Sequence, residues 1–114
     1  MDVRIPALAE QMLLIERELR ILGMWGLLPP SDEALSSGQP FCVDTLAFEE
    51  WLQWIFLPRM KVIIEGGRAL PASSGIRPMA EMVYRERLAE VAALLEALGE
   101  IDRLISDGGL TVAG

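Results

Sequence analysis

Seventeen carboxylates, nine arginines, one lysine and one cysteine are the groups in this chain that could bind or react, and there is no histidine among them. Histidine is the commonest general base and metal ligand near neutral pH, so its absence excludes histidine triads and histidine zinc sites. The lone Cys42 can form neither a cysteine zinc site nor an internal disulfide. Neither a P-loop nor the dinucleotide-binding glycine fingerprint occurs. Gly66-Gly67 and Asp107-Gly108-Gly109 read as helix ends. Most carboxylates fall opposite apolar stripes; Glu96 and Glu100, at i and i+4, read as a solvated helix face. Cys42 precedes a helix, so it reads as a small buried apolar residue, with a reactive thiol as the alternative. No nucleophile can be paired with a base. The expectation is therefore no enzyme, no metal and no cofactor.

Chemical interest is concentrated between Gln39 and Met60. Projected as one helix at about 100° per residue, Phe48, Trp51, Leu52, Trp54, Ile55 and Phe56 spread over about 200° of the circumference. Glu49, Glu50, Gln53 and Lys61 share the remainder. A helix apolar over more than half its girth is expected to be central. The same projection puts Arg59 on the apolar side, and Asp102 falls within the apolar face of the last helix. An unpaired buried charge is too costly to persist. Arg59 is therefore expected to pair with Asp102, Asp44 or Glu81, with exposure past Pro58 or an anionic ligand as the other readings. Trp51 and Trp54 pack inward or, if exposed, anchor a partner.

The elements that position these groups are helical. Leu8, Met12, Ile15, Leu19 and Leu22 fall on one stripe, predicting a helix over about 6–22 that Pro6 opens and Gly23 ends. Residues 25–41 are punctuated by Pro29-Pro30, Ser36-Ser37-Gly38 and Pro40 and read as a loop, with one helical turn at 31–35. A second helix is expected over 44–65, capped by Asp44 or Thr45 and interrupted near Pro58. A connector over 70–77 leads to helices at 78–85 and 87–105, whose junction lacks Gly and Pro, so that one bent helix is the alternative. Leu88, Val91, Leu95, Leu98, Ile101 and Ile105 form the last stripe. The tail 107–114 is expected to fray. With 114 residues, 52% of them apolar, the chain is long enough for one packed domain. The fold class is all-α, as an antiparallel four-helix bundle with two longer loops.

The net charge of −7 repels phosphate backbones and anionic membranes, so neither direct nucleic-acid binding nor membrane binding is expected. With one cysteine and no secretory n-region, the expected compartment is the cytoplasm. Leu27 and Leu28, with the C-terminal stretch from Leu110 to Ala113, are candidate contacts of a homodimer.

Gln39-Pro40-Phe41, Asp44-Thr45, Glu50-Trp51-Leu52-Gln53-Trp54 and Leu57-Pro58-Arg59-Met60 resemble the YqcC-like family of small bacterial proteins. Leu70-Pro71, Ile76 and Pro78-Met79-Ala80-Glu81-Met82 continue the resemblance in order, so that it covers about 39–105, and helix one more loosely. It implies an all-helical bundle without established enzymatic activity. Some relatives are encoded beside a tRNA pseudouridine synthase, which implies a link to tRNA modification by association only. A proline near the position of Ala89 in some relatives implies a break between the last two helices. The leading expectation is a non-enzymatic interaction protein whose partner is an RNA-modifying enzyme. Its binding residues are drawn from Phe41, Asp44, Glu49, Glu50, Trp51, Gln53, Trp54 and Arg59. The alternative is a small-molecule or anion-binding bundle with a pocket at Pro58 lined by Arg59, Gln53 and Trp54.

Overall fold

The computed structural model describes residues 3–111, with side-chain surroundings through residue 106. All regular structure among the described residues is helical. α1 (Ile5–Ile21) has Pro6 in its first turn, where a missing N–H costs nothing. Leu8, Ile15 and Leu19 are sealed in the core, and Met12 and Leu22 pack at its margin. At the end of α1 the N–H groups of Gly23 and Met24 donate back to the carbonyls of Arg20 and Leu19. Gly23 takes a φ of 74°, which the absence of Cβ allows at no steric cost.

The loop holds the short α2 (Asp32–Leu35), capped where Ser31 Oγ accepts from Ala34 N–H, and a 3-10 turn at Pro40–Cys42. The long helix then runs continuously through α3 (Phe48–Trp51), a π-turn (Leu52–Phe56) and α4 (Leu57–Glu65). It starts at Phe48 and not at residue 44, because the expected caps are engaged elsewhere. Asp44 accepts from Ser37 Oγ, and Thr45 Oγ1 donates to Ala34 O. Glu50 Oε1 instead accepts from Ala47 N–H at the true start.

Pro58 does not break this helix. Within an ideal α-helix its ring would clash with the carbonyl of Trp54 and leave one acceptor free. The π-turn relieves this: Leu57 N–H donates to Leu52 O, five residues back, and Pro58 falls in the first turn of α4. The extra residue rotates everything downstream by about 100° relative to an ideal helix. Leu57 and Met60 thereby face the core, and Pro58 and Arg59 face solvent.

α5 (Ile76–Val83) begins two residues earlier than expected, and its N-cap residue, Gly75, has no side chain to offer. The cap comes from α6 (Ala92–Thr111). Asp102 Oδ1 accepts from Ile76 N–H at 2.9 Å and from Ser74 Oγ at 2.6 Å, and Oδ2 accepts from Arg77 N–H at 2.8 Å. Ser106 Oγ accepts from Ser74 N–H as well. The stem of Arg77 then crosses α6 at Gly99, where a Cβ would lie only 2.8 Å from Nη1.

Residues 84–91 form turns that separate α5 from α6, so the last two helices are distinct and α6 starts at Ala92 and not at residue 87. Leu88 lies in these turns and is exposed, whereas Val91, Leu94, Leu95, Leu98, Ile101 and Ile105 are buried. α6 continues past residue 107 to Thr111; residues 112–114 of the expected frayed tail lie outside the described residues. α1 and α6 run antiparallel, since Arg4, just before α1, donates to the carbonyls of Leu104 and Ile105. No helix among the described residues is long and apolar enough to cross a membrane.

Because Asp102 serves three donors of another element, Asp102→Ala is expected to lower the unfolding free energy by about 2 kcal/mol. Asp102→Asn, which keeps an acceptor oxygen, should lose less. Urea denaturation, with the slope checked for constancy, measures both.

Candidate functional site

The residues expected to bind divide sharply once folded. Gln53, placed by the ideal-helix projection on the polar face, is only 6% exposed. Its Oε1 accepts from Gly26 N–H and its Nε2 donates to Gly26 O, each at 2.8 Å. The side-chain amide thus pairs with one residue's backbone as a neighbouring strand would, and offers little to a ligand. Trp54 brings its indole nitrogen close to the same glycine. Glu49 accepts from Tyr84 Oη at 2.7 Å, and Glu50 is occupied at the start of α3.

The expected Arg59 ion pair does not form. Asp102 caps α5, Asp44 is bonded to Ser37, and Glu81 lies 3.5 Å from Arg77. Arg59 is exposed, for the reason the π-turn supplies, and makes no ion pair among the described residues.

Phe41, Phe48, Trp51, Phe56 and Tyr84 form a connected aromatic cluster. Trp51 is half-buried, with Phe41 edge-on at 4.8 Å and Phe56 stacked at 5.4 Å. Phe48 meets the Tyr84 ring edge-on at 5.9 Å. Such pairs contribute beyond their area, about 0.5–1.5 kcal/mol each. Phe41 has φ 57° and ψ 17°, and Cys42 has φ 49°. Two successive non-glycine residues in the left-handed region store about 1–3 kcal/mol each. Cys42 is buried, as expected. The turn leaves Val43 58% exposed beside Asp44 and Thr45. A shallow notch at this point is lined by Phe41, Val43, Leu46, Phe48, Met79 and Val83. Met82 and Val83 are exposed on the adjoining α5. The sequence marked the α5 half of this patch only as part of the family resemblance and not as a binding surface, and residues 41–42 carry neither the glycine nor the asparagine that usually announces a left-handed backbone.

Two larger hollows lie elsewhere. A cleft of about 580 Å³ runs between α1 and α4, lined by Met12, Leu13, Trp25, Gln53, Leu57 and Pro58, with Glu16, Lys61 and Glu65 among its charged members. This is the expected hollow at Pro58, but neither Arg59 nor Trp54 lines it. An open groove of about 870 Å³ crosses α1, α5 and α6, with Glu18, Glu81, Glu96, Glu100 and Asp102 beside Arg77 and Arg103. Its rim is partly neutralised by the Arg77–Glu81 and Arg103–Glu100 pairs.

Residues 7–104 match the family model DUF446, described as tRNA pseudouridine synthase C. An uncharacterized protein of Haemophilus influenzae is 41% identical over 86 residues, covering 75% of this chain and 80% of that protein. The uncharacterized protein YqcC of Escherichia coli is 32% identical over 97 residues, covering 85% and 89%. A protein of Pectobacterium carotovorum named tRNA pseudouridine synthase C is 51% identical over 59 residues, which is 52% of this chain but 16% of that protein. The solution NMR structure of E. coli YqcC superposes with a TM-score of 0.81 at 29% identity, covering 94% of this chain and 92% of that one.

Two predictions follow from the buried polar pairs. Gln53→Ala leaves the N–H and C=O of Gly26 without their partner and is expected to cost about 2–3 kcal/mol and to loosen the loop around Trp25, read as a change in tryptophan emission. Tyr84 is the only tyrosine. Burial first, and then its bond to Glu49, pushes its phenol well above the ordinary range. The folded state holds this proton more tightly than the unfolded chain. The resulting stabilisation is complete below about pH 10 and declines as pH rises beyond it. Tyr84→Phe should therefore show a weaker fall in stability above pH 10 than the parent, measured by denaturation at stepped alkaline pH.

Proposed function

The chain belongs to the DUF446 family, and from that premise we propose that it is a non-enzymatic accessory protein of a tRNA pseudouridine synthase. We read its scaffold as the antiparallel four-helix bundle expected from the sequence. The observation that carries the proposal is the Pectobacterium match: a family segment makes up 16% of a longer protein bearing the synthase name. Within one polypeptide two modules meet at an effective concentration near millimolar. A free-standing chain with the same role needs a surface that recovers this proximity.

The surface proposed is the patch around the strained turn: Phe41, Val43, Asp44, Met82 and Val83. Backbone strain persists only where the surroundings over-determine it, and it is concentrated at functional positions. Here the strain holds Val43 outward on a rigid aromatic base of Phe41 and Trp51. Of the residues expected from the sequence, Phe41 and Asp44 belong to this contact, Trp51 supports it from beneath, and Glu49, Glu50 and Gln53 act structurally. A net charge of −7 supports contact with a cationic RNA-binding enzyme over contact with RNA itself. This role puts the protein in the cytoplasm and asks no reaction of it.

The test is direct binding to the tRNA pseudouridine synthase of the same cell by titration calorimetry. A complex should form, and Val43→Lys with Val83→Lys, which removes the apolar contact and repels a cationic partner, should weaken it at least about tenfold while melting is unchanged, both residues being exposed. No complex at high micromolar concentration, or equal binding by the double variant, sinks the proposal.

A further inference from the structure

The most exposed leucines among the described residues, Leu27 and Leu28, are 91% and 84% accessible, yet they stand on a firmly held base. Gln53 engages both backbone groups of Gly26 immediately before them. Pro29 and Pro30 follow, and the residue before a proline is confined to extended backbone. An apolar pair restrained from both sides loses little conformational freedom on docking.

The apolar cleft between α1 and α4 lies beside this knob. Trp25 lines it, one residue before Gly26, and the stem of Gln53 forms part of its wall. Leu13, on its α1 side, is itself 70% exposed. The chain leaves Trp25 in a direction that keeps Leu27 and Leu28 out of their own cleft, as their exposure records. A knob and its receptor on one continuous face are what a two-fold contact requires, since each copy then presents both halves to the other and the assembly closes.

Charge supports the same occupant. The chain carries −7, so two copies repel over most of their surface. At the cleft the signs are mixed. Glu16 is paired with Arg20, whose guanidinium also lies 4.8 Å above the Trp25 ring, and Lys61 and Glu65 complete the lining. The groove across α1, α5 and α6 keeps a surplus of carboxylates beyond its two ion pairs.

We propose that the protein forms a two-fold dimer in which Leu27 and Leu28 of each protomer enter the Leu13–Trp25–Pro58 cleft of the other. Four leucines and the walls they cover bury on the order of 1,000 Å² in total, the size of a weak and reversible contact. This interface is separate from the patch around Val43 and stands or falls independently of any synthase.

Sedimentation equilibrium from micromolar to millimolar protein tests it. The expected result is a monomer–dimer equilibrium that tightens as added salt screens the net charge. Leu27→Ser with Leu28→Ser removes the knob, and Leu13→Glu blocks the receptor. Each should weaken association at least about tenfold with melting unchanged, because all three residues are exposed. A mixture of the two variants should dimerise more tightly than either alone, since one intact knob then meets one intact cleft. Wild-type protein that stays monomeric at millimolar concentration overturns the proposal. So does a dimer indifferent to Leu13→Glu, which points to knob-on-knob packing, or a mixture that regains nothing.

Discussion

Pro58 cannot donate a hydrogen bond, and in a regular α-helix its ring collides with the preceding turn. The long helix accommodates it by letting Leu57 N–H donate to Leu52 O, five residues back, and then resuming its α-helical course. The consequences reach well beyond the turn. The core is met by Phe48 before it, by Leu52 and Phe56 within it, and by Leu57 and Met60 after it. Gln53, which an ideal helix would present to water, is covered by the loop at Gly26 and bonds both of its backbone groups. Arg59, which an ideal helix would bury, is carried outward. One residue of extra winding therefore decides which side chains are structural and which are free to meet a partner.

Gln53 and Asp102 solve the same problem in different places. Backbone groups that leave water must be bonded, and the usual remedy is a cap or a ladder from nearby in the chain. Here the remedy comes from afar: a glutamine on the long helix satisfies a loop glycine, and an aspartate on α6 satisfies the start of α5. Both are polar residues on otherwise apolar faces, and both tie two elements together through directional bonds that a slipped packing would break. No buried side-chain nitrogen or oxygen among the described residues lacks a partner. The polar groups of the interior are thus committed to holding the fold.

What remains available is the surface, where apolar groups stand out on an acidic background. Val43 rises from a strained turn braced by aromatic rings, and Leu27 and Leu28 rise from a loop braced by Gln53. Rigid presentation of a few apolar side chains lowers the entropic cost of association. The two patches sit on different elements.

Much of this was legible in the residues themselves. The 3.6-residue periodicity of α1 and α6 and the stop at Gly23 established an all-helical chain, and the absence of histidine and of a second cysteine excluded histidine-based sets and cysteine metal sites. The residues from Gln39 to Met60 also identified the family. Both periodic readings worked where the helix was regular, because spacing then maps onto direction at a constant angle. The projection of the long helix failed for Arg59, because one added residue in the π-turn changes that angle without leaving a mark in the pattern, and for Gln53, because a distant loop at Gly26 covers it. Likewise Asp102 was visible as a charge needing a partner, but the partner proved to be backbone N–H groups, which every sequence contains and none distinguishes. The left-handed backbone of Phe41 and Cys42, and the meeting of Val43 with Val83 across forty residues, are features of the tertiary structure. Such contacts belong to the folded surface, where distance along the chain no longer measures distance in space.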